Sequence, residues 1–419
     1  MTRLPLWREL GAGYGYFVVA AVVVIFVLPW QAARLGDAGW ATVAFCLSVH
    51  ALLMAADLAL SPLLLRDAAA AGPARLGALL ADWRRRHARA AASMVAVAVT
   101  AWLALWATDA LGSLAAVSPQ AAVAVLVAFA FQLRNAGTLA AWQARGGQVS
   151  VAARQSTFLV MRHALASLAL IAGYTSASVY LGCFAVVAAL EWWMNRRGLS
   201  AWLAKRVTVA DAAGRPVTAA AGSPELRAAM ASALLALVSS QIDRLWLGWQ
   251  LPAVAFAPYA LLCLPLASYL SLQMPIQRSL LPRLARSGES GRLLRTFVLL
   301  HAGLALPCLG LALAAEPLLA LWLRDPAHAS AIAPVFSALA LALALQVTTS
   351  PAAALLLLQR RWRILLSLQG AALAVQVALL WTLAPMHGAW AGVAAWYVPG
   401  VIGLVAMLAV VVPRLRGPG

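Results

Sequence analysis

Several ionisable residues sit where an apolar chain has least use for them. Asp57 lies inside the apolar run from Trp40 to Asp67, Arg134 and Arg162 lie inside two later runs, and Asp243-Arg244 interrupts another. Hydrocarbon gives a charge no solvation, so such residues face a bundle interior or wet cavity, pair with one another, or line the path of a charged substrate. Guanidinium offers a planar fork of donors that matches phosphate and carboxylate oxygens, so arginines at depth point to an anionic substrate. A protonatable carboxylate at depth points to coupling with a proton or sodium gradient, because its charge biases the states that substrate meets. The candidates are Arg66, Arg134, Arg162, Arg244 and Arg278 for substrate binding, and Asp57 and Asp243 for ion coupling.

Counted from the cytoplasmic helix ends, Asp57, Arg134 and Arg162 each lie roughly 13–15 Å up, near the bilayer midplane. Gln132, Asn135 and Thr138 flank Arg134, and Gln155 lies two turns before Arg162. The plain alternative to a binding role is a structural ion pair of Asp57 with Arg134 or Arg162. One carboxylate cannot neutralise two guanidinium groups, so positive charge remains. In the later run, Ser239 and Asp243 share a face at i, i+4, whereas Asp243 and Arg244 point about 100° apart and are not expected to neutralise each other. Asp243 is then either a protonation or cation site or a salt bridge to another helix. Arg278, after Pro275 near the inner end of its span, also has the reach to snorkel to headgroups.

Catalytic constellations are absent from the sequence. His50, His87, His163, His301, His328 and His387 stand apart from one another, without metal-ligand spacing. Cys46, Cys183, Cys263 and Cys308 all fall in apolar runs, as structural thiols do. Gly146-Gly147 lacks Walker spacing, and no acidic pair or large outer loop suits a glycosyl transfer. The reading is a non-enzyme without metal or cofactor.

The elements that must position these residues are membrane helices. The 419 residues are 64% hydrophobic and 11% charged, with mean hydropathy +0.86, whereas soluble domains carry roughly 25% charged residues. Lipid must be the solvent for most of the chain. A net charge of +18 would suggest nucleic acid in a soluble protein. Here the arginines lie in short connections between apolar runs, which excludes that reading. Runs of about 20 apolar residues predict twelve helices, over 11–33, 41–65, 88–110, 119–142, 154–175, 177–196, 228–250, 256–281, 293–315, 331–357, 364–384 and 388–412. With the N-terminus inside, only Arg34 and Arg324 of the 31 basic residues fall outside, and Arg134, Arg162 and Arg244 fall within helices. Both termini are therefore expected in the cytoplasm. Tryptophans mark the two edges, Trp30, Trp40, Trp106, Trp249 and Trp322 outside, and Trp83, Trp142, Trp192, Trp193 and Trp362 inside. The N-terminal run resembles a signal peptide in outline, but its length and the charges after it fit a retained first helix.

A polar connection with Gly214, Pro216 and Ser223-Pro224 divides the chain. It gives an N-terminal six-helix bundle over 1–198, a cytoplasmic linker over 199–227 and a C-terminal six-helix bundle over 228–419. Each half opens with a helix, a short outer turn and a second helix ending in proline and arginine: Leu35–Trp40 then Ser61-Pro62 to Arg66, and Leu251–Phe256 then Leu281-Pro282-Arg283. Weak internal repeats of this kind are typical of transporters, with the substrate site at their interface.

Five stretches in order carry a family resemblance. Asp57-Leu58-Ala59-Leu60-Ser61-Pro62 with Arg66-Asp67 resembles the D-L-G-L-S-P and R-E pattern of bacterial oligosaccharide flippases. Gln241-Ile242-Asp243-Arg244-Leu245 is similar to their Q-L-D-K-L stretch, and Leu281-Pro282-Arg283-Leu284-Ala285-Arg286 to their F-P-R-L-S-R element. Pro317–Leu323 with Ala333-Pro334-Val335 resembles their ninth-to-tenth connection, and His387–Gly392 their Y-G-x-x-G-A entry to the last helix. The chain thus resembles the O-antigen (Wzx-like) flippases of the multidrug/oligosaccharidyl-lipid/polysaccharide exporter superfamily. Ala59 replaces the usual glycine, and Leu358–Arg363 replaces a glycine-containing turn.

The resemblance implies an all-α polytopic membrane protein, two six-helix bundles around a central cavity in the MATE-like arrangement, rocking between inward- and outward-open states. It implies translocation of a polyprenyl-diphosphate-linked oligosaccharide across the bacterial inner membrane for surface polysaccharide, with glycan polymerase and chain-length proteins as partners. The rival readings are a drug or metabolite exporter of the same superfamily, a membrane glycan polymerase or glycosyltransferase, and a scaffold that has lost transport.

Overall fold

The computed structural model describes residues 6–70, 73–108, 117–144, 148–206, 224–286 and 291–416. Most of the expected linker and the turn at Arg145 lie outside the described residues, as do the side chains of Arg66 and Arg278. The described residues are helical, with no strand among them. Nine of the helical segments are long and apolar enough to cross a membrane.

α1 (Leu6–Val22) passes through a π-helical turn at Val23–Val27 into α2 (Leu28–Leu53). Within α2, Gly36 adopts φ 69°, ψ 171°, a conformation that favours glycine, and breaks the helix at the expected outer turn. α3 (Ala55–Ala70) follows Met54, whose carbonyl accepts from Asp57 N at 2.9 Å. The irregularity thus precedes Asp57, and α3 continues through Pro62, where the sequence predicts a kink.

α4 (Pro73–Ala107) starts well before the expected residue 88. Pro73 suits a first helical position, where its missing N–H costs nothing. Leu76, Leu80, Trp83 and His87 recur at helical spacing and are all buried. The arginine-rich stretch is therefore the polar side of an amphipathic helix, not a loop. α5 (Pro119–Ala144), α6 (Gln148–Ile171) and α7 (Ala177–Arg206) follow. α7 runs on into the segment expected as linker and buries Leu199 there.

The second half comprises α8 (Pro224–Gln250), α9 (Ala253–Leu270), α10 (Gln273–Arg286), α11 (Gly291–Leu313), α12 (Ala315–Leu323), α13 (Pro326–Leu358), α14 (Trp362–His387), α15 (Ala389–Ala406), a π-helical turn at Met407–Val411 and α16 (Val412–Arg416). Joined across their breaks, the described helices form twelve stretches in the order and places expected.

The chain gathers into two compact units. One is Arg34–Leu237; the other combines Met1–Ala33 with Val238–Gly419, so the first helix groups with the C-terminal helices. In the Arg34–Leu237 unit, α5 is the central helix, packed against α3, α4, α6 and α7. In the other, α13 is central, packed against α9, α10, α11, α12, α14 and α15. Glycines let α15 approach α13: a side chain at Gly400 would meet Leu345, and one at Gly403 would meet Thr349. The π-helical turn in the first helix leaves the Ile25 carbonyl to Trp322 Nε1, at 2.7 Å. Large apolar side chains such as Leu103, Trp106, Leu299, Leu306 and Leu313 remain exposed, as lipid contact requires.

Candidate functional site

In the Arg34–Leu237 unit, the close packing of α5 and α7 forces their polar residues to satisfy one another. Glu191, buried on α7, accepts from Asn135 Nδ2 on α5 at 2.9 Å and from Arg162 on α6 at 3.2 Å. Asn195 extends the chain, donating to Asn135 Oδ1 at 2.9 Å and accepting from Arg154 at 3.2 Å. Arg154 in turn stacks over Trp142, 4.7 Å from the ring centre. Arg162 is thus neutralised by Glu191, not by Asp57. Glu191 is absent from the sequence-derived candidates, although it completes the polar set of Asn135 and Arg162.

Below this ladder lies a cavity of about 220 Å³. α4 contributes Trp83, Arg84 and His87, α5 contributes Arg134 and Thr138, and α7 contributes Trp192 and Arg196, with Leu64 of α3 on a fourth side. The lining brings three guanidinium-bearing residues together and includes no carboxylate. Arg134 makes no ion pair among the described residues. Arg84 Nε donates to Leu80 O of its own helix at 3.1 Å, and Arg196 stacks over Trp192 at 5.5 Å. His87 Nδ1 is 2.9 Å from Trp83 O, while its buried Nε2 has no hydrogen-bond partner. Of the sequence-derived residues, Arg134 belongs to this cavity; Arg84, Arg196 and His87 join it because α4 begins early and α7 ends late.

Asp57 on α3 accepts a very short hydrogen bond from Ser61 Oγ, one turn on. It interacts electrostatically with His87, and it makes no ion pair among the described residues.

The second unit holds the other carboxylate. Asp243 Oδ2 accepts from Tyr259 Oη at 2.5 Å and from Trp396 Nε1 at 2.9 Å, and Oδ1 lies 3.9 Å from Arg244 Nε. The neighbours Asp243 and Arg244 therefore do meet, contrary to the 100° expectation. The Arg244 guanidinium folds back along α8 to the Ser240 carbonyl, which brings Nε beside the carboxylate. Ser239, on the same face, donates to Gln376 Oε1 on α14 at 2.5 Å, and Gln376 Nε2 donates to Ser239 O and Ala395 O. Asp243 is ringed by donors. Such a shell holds a fixed anion and lacks the set of oxygen ligands that a hard cation takes.

No protein-family model and no curated protein matches the chain. Solved structures match its fold. A point mutant of the MATE transporter VcmN from Vibrio cholerae aligns over 96% of both chains with a TM-score of 0.67 at 14% identity. A MOP-superfamily transporter from Pyrococcus furiosus, described by a binding pocket of reverse polarity, aligns over 97% of this chain and 95% of that one, with a TM-score of 0.66 at 13% identity. The lipid II flippase MurJ in its inward closed conformation aligns over 96% of this chain and 87% of that one, with a TM-score of 0.64 at 11% identity. The chain has the fold of the MATE and MOP-superfamily transporters and is a multi-pass membrane protein. At these identities the likeness is one of fold, shared by exporters and a flippase alike.

Proposed function

We propose that the chain is a flippase for an anionic lipid-linked oligosaccharide, carrying a polyprenyl-diphosphate-linked glycan from the cytoplasmic to the periplasmic leaflet by alternating access. The observation that carries this reading is the cavity lined by Arg84, Arg134 and Arg196 with no carboxylate beside them. A guanidinium-lined site in a low-dielectric surround favours phosphate and acidic sugar, and opposes the lipophilic cations that drug exporters of this fold type would need to bind. Inner-membrane placement, cytoplasmic termini, a role in surface polysaccharide and association with glycan polymerase and chain-length proteins belong to the same reading.

Asp57 is the coupling carboxylate in this proposal. It lacks the ring of donors that fixes Asp243, and it acts on His87 of the cavity. Asp57→Asn is expected to abolish the dependence of transport on a proton or sodium gradient, while undiminished gradient-dependent transport would remove Asp57 from the mechanism.

A drug exporter has equal support from the fold. The deciding experiment scores a deletion strain, with and without the wild-type gene, for lipid-linked oligosaccharide on each leaflet and for drug susceptibility. Cytoplasmic-side accumulation that the gene reverses is the expected result. Intact surface glycan with altered drug susceptibility overturns the flippase reading in favour of export.

A further inference from the structure

We infer that the cavity between α4, α5 and α7 is a phosphate-binding subsite, separate from whatever holds the sugars. Its assignment to the cargo's diphosphate rests on the flippase reading; the site itself rests on four features of the cavity.

First, the cations come from three different helices, and their donors are not used up. Arg134 has no ion pair among the described residues, Arg84 spends Nε on a carbonyl of its own helix, and Arg196 lies against a ring, so each fork keeps N–H groups for a ligand. Second, a polar atom waits in the wall. His87 is 2% exposed, and its Nδ1 donates to Trp83 O, because a carbonyl can only accept. That bond fixes the ring, so Nε2 is a lone pair in the neutral imidazole and a donor in the imidazolium. Nε2 has no partner in the protein, and a phosphate oxygen in the cavity supplies one by selecting the protonated ring. Third, the position of the ring depends on Gly137. A side chain there would meet His87 Nε2 at 2.9 Å and Cε1 at 3.0 Å, so the glycine makes the room that His87 occupies at the wall.

Fourth, the size is selective. At about 220 Å³ the cavity is smaller than the roughly 300–1,000 Å³ of pockets that enclose drug-sized ligands. It suits a phosphate or diphosphate group and has no room for an oligosaccharide. A subsite of this kind would read the linkage that all lipid-linked glycans share and leave the sugar sequence unread.

The test uses the full-length protein in phosphatidylcholine nanodiscs, with inorganic diphosphate as the titrant. Wild type and Arg85→Ala, a charge loss on α4 outside the cavity, are expected to bind equally. Arg134→Ala and Arg196→Ala are expected to weaken binding about tenfold or more, the effect of removing a charge-assisted contact. Gly137→Ala, which changes no charge, is expected to weaken it as well by displacing His87, and Arg134→Lys to restore part of the loss. Competition by a polyprenyl diphosphate would assign the site to the cargo, and competition by phosphatidylglycerol alone would assign it to a phospholipid headgroup. Either supports a phosphate subsite. Binding that falls as much in Arg85→Ala as in Arg134→Ala, or in none of the variants, overturns it. The two readings fail separately. Leaflet transport with cavity variants that bind diphosphate normally sinks the subsite alone, whereas intact diphosphate binding in a protein whose deletion leaves glycan transport normal sinks the flippase reading alone.

Discussion

Glu191 accepts from two helices at once, and its loss would leave Arg162 charged, three-quarters buried or more, and without a counter-ion. Removing one member of a buried pair typically costs about 3–5 kcal/mol, and the 19% exposure of the Arg162 side chain places this case toward the lower figure. Glu191→Gln should therefore lower the apparent melting temperature of the detergent-solubilised protein, and Glu191→Met with Arg162→Met should recover much of the loss. Equal melting of wild type and the single variant would show the pair to be energetically idle. The same logic applies to Asp243: Tyr259→Phe removes one donor to a buried carboxylate and should cost about 1.5–3 kcal/mol in the same assay. The sequence marks Arg162 as needing a partner at depth but not which one. Leu190-Glu191-Trp192-Trp193 reads as the aromatic edge of a span ending at 196, and only the continuation of α7 to Arg206 places Glu191 well inside a helix. Arg162 and Glu191 then meet through packing of two helices, which no spacing in the sequence encodes.

Helix contacts in the second unit turn on a few small residues. An added methyl at Gly392 would run into Tyr259 Oη and into Leu247 Cδ1, both fully buried, and Tyr259 is already tied to Asp243. Gly392→Ala should force α15 away from α8 and α9 at a cost of about 1–3 kcal/mol, the usual range for overpacking. Gly310 has nothing within 4 Å of the same added atom, so Gly310→Ala should be neutral or stabilising by up to about 1 kcal/mol through helix propensity. A thermal-shift comparison of the two decides the point, and similar shifts would mean that α15 is not held by close packing. Elements of this kind are legible in the sequence where length and apolar run define them. The turn at Leu35-Gly36 and the junction at His387-Gly388 fall where glycine spacing predicts, and Gly388 ends α14 at φ 53°. α4 is misread because its first half carries Arg84, Arg85, Arg86 and Arg89, and the charge hides the stripe of Leu76, Leu80, Trp83 and His87. Much of the cavity lies on that hidden stretch, which is why Arg134 is the one sequence-derived residue in it.

At the scale of the whole molecule, the fourth helical stretch of each half, α5 and α13, is the central helix of its unit, which is what a repeat of one six-helix plan produces. The grouping of the first helix with the C-terminal unit is a matter of packing that sequence order does not carry. Orientation follows from charge. Arg34 and Arg324 are alone on the side opposite all the other loop arginines, and the positive-inside rule puts that side outside the cell. The connection at Arg324-Asp325, with Asp325 capping α13 through His328 N at 3.0 Å, is then periplasmic, and the turn at Arg360-Arg361 is cytoplasmic. A cysteine placed at Ala327 should react with a membrane-impermeant maleimide in intact cells, and one at Arg361 only after permeabilisation. The native Cys46, Cys263 and Cys308 are buried and Cys183 half-buried, so a cysteine-free background is a modest change. The reverse labelling pattern would invert the molecule. The arginine cavity, which lies toward the α5–α6 turn, would then open toward the periplasmic leaflet, and loading of a cytoplasmic lipid-linked anion through it would be untenable.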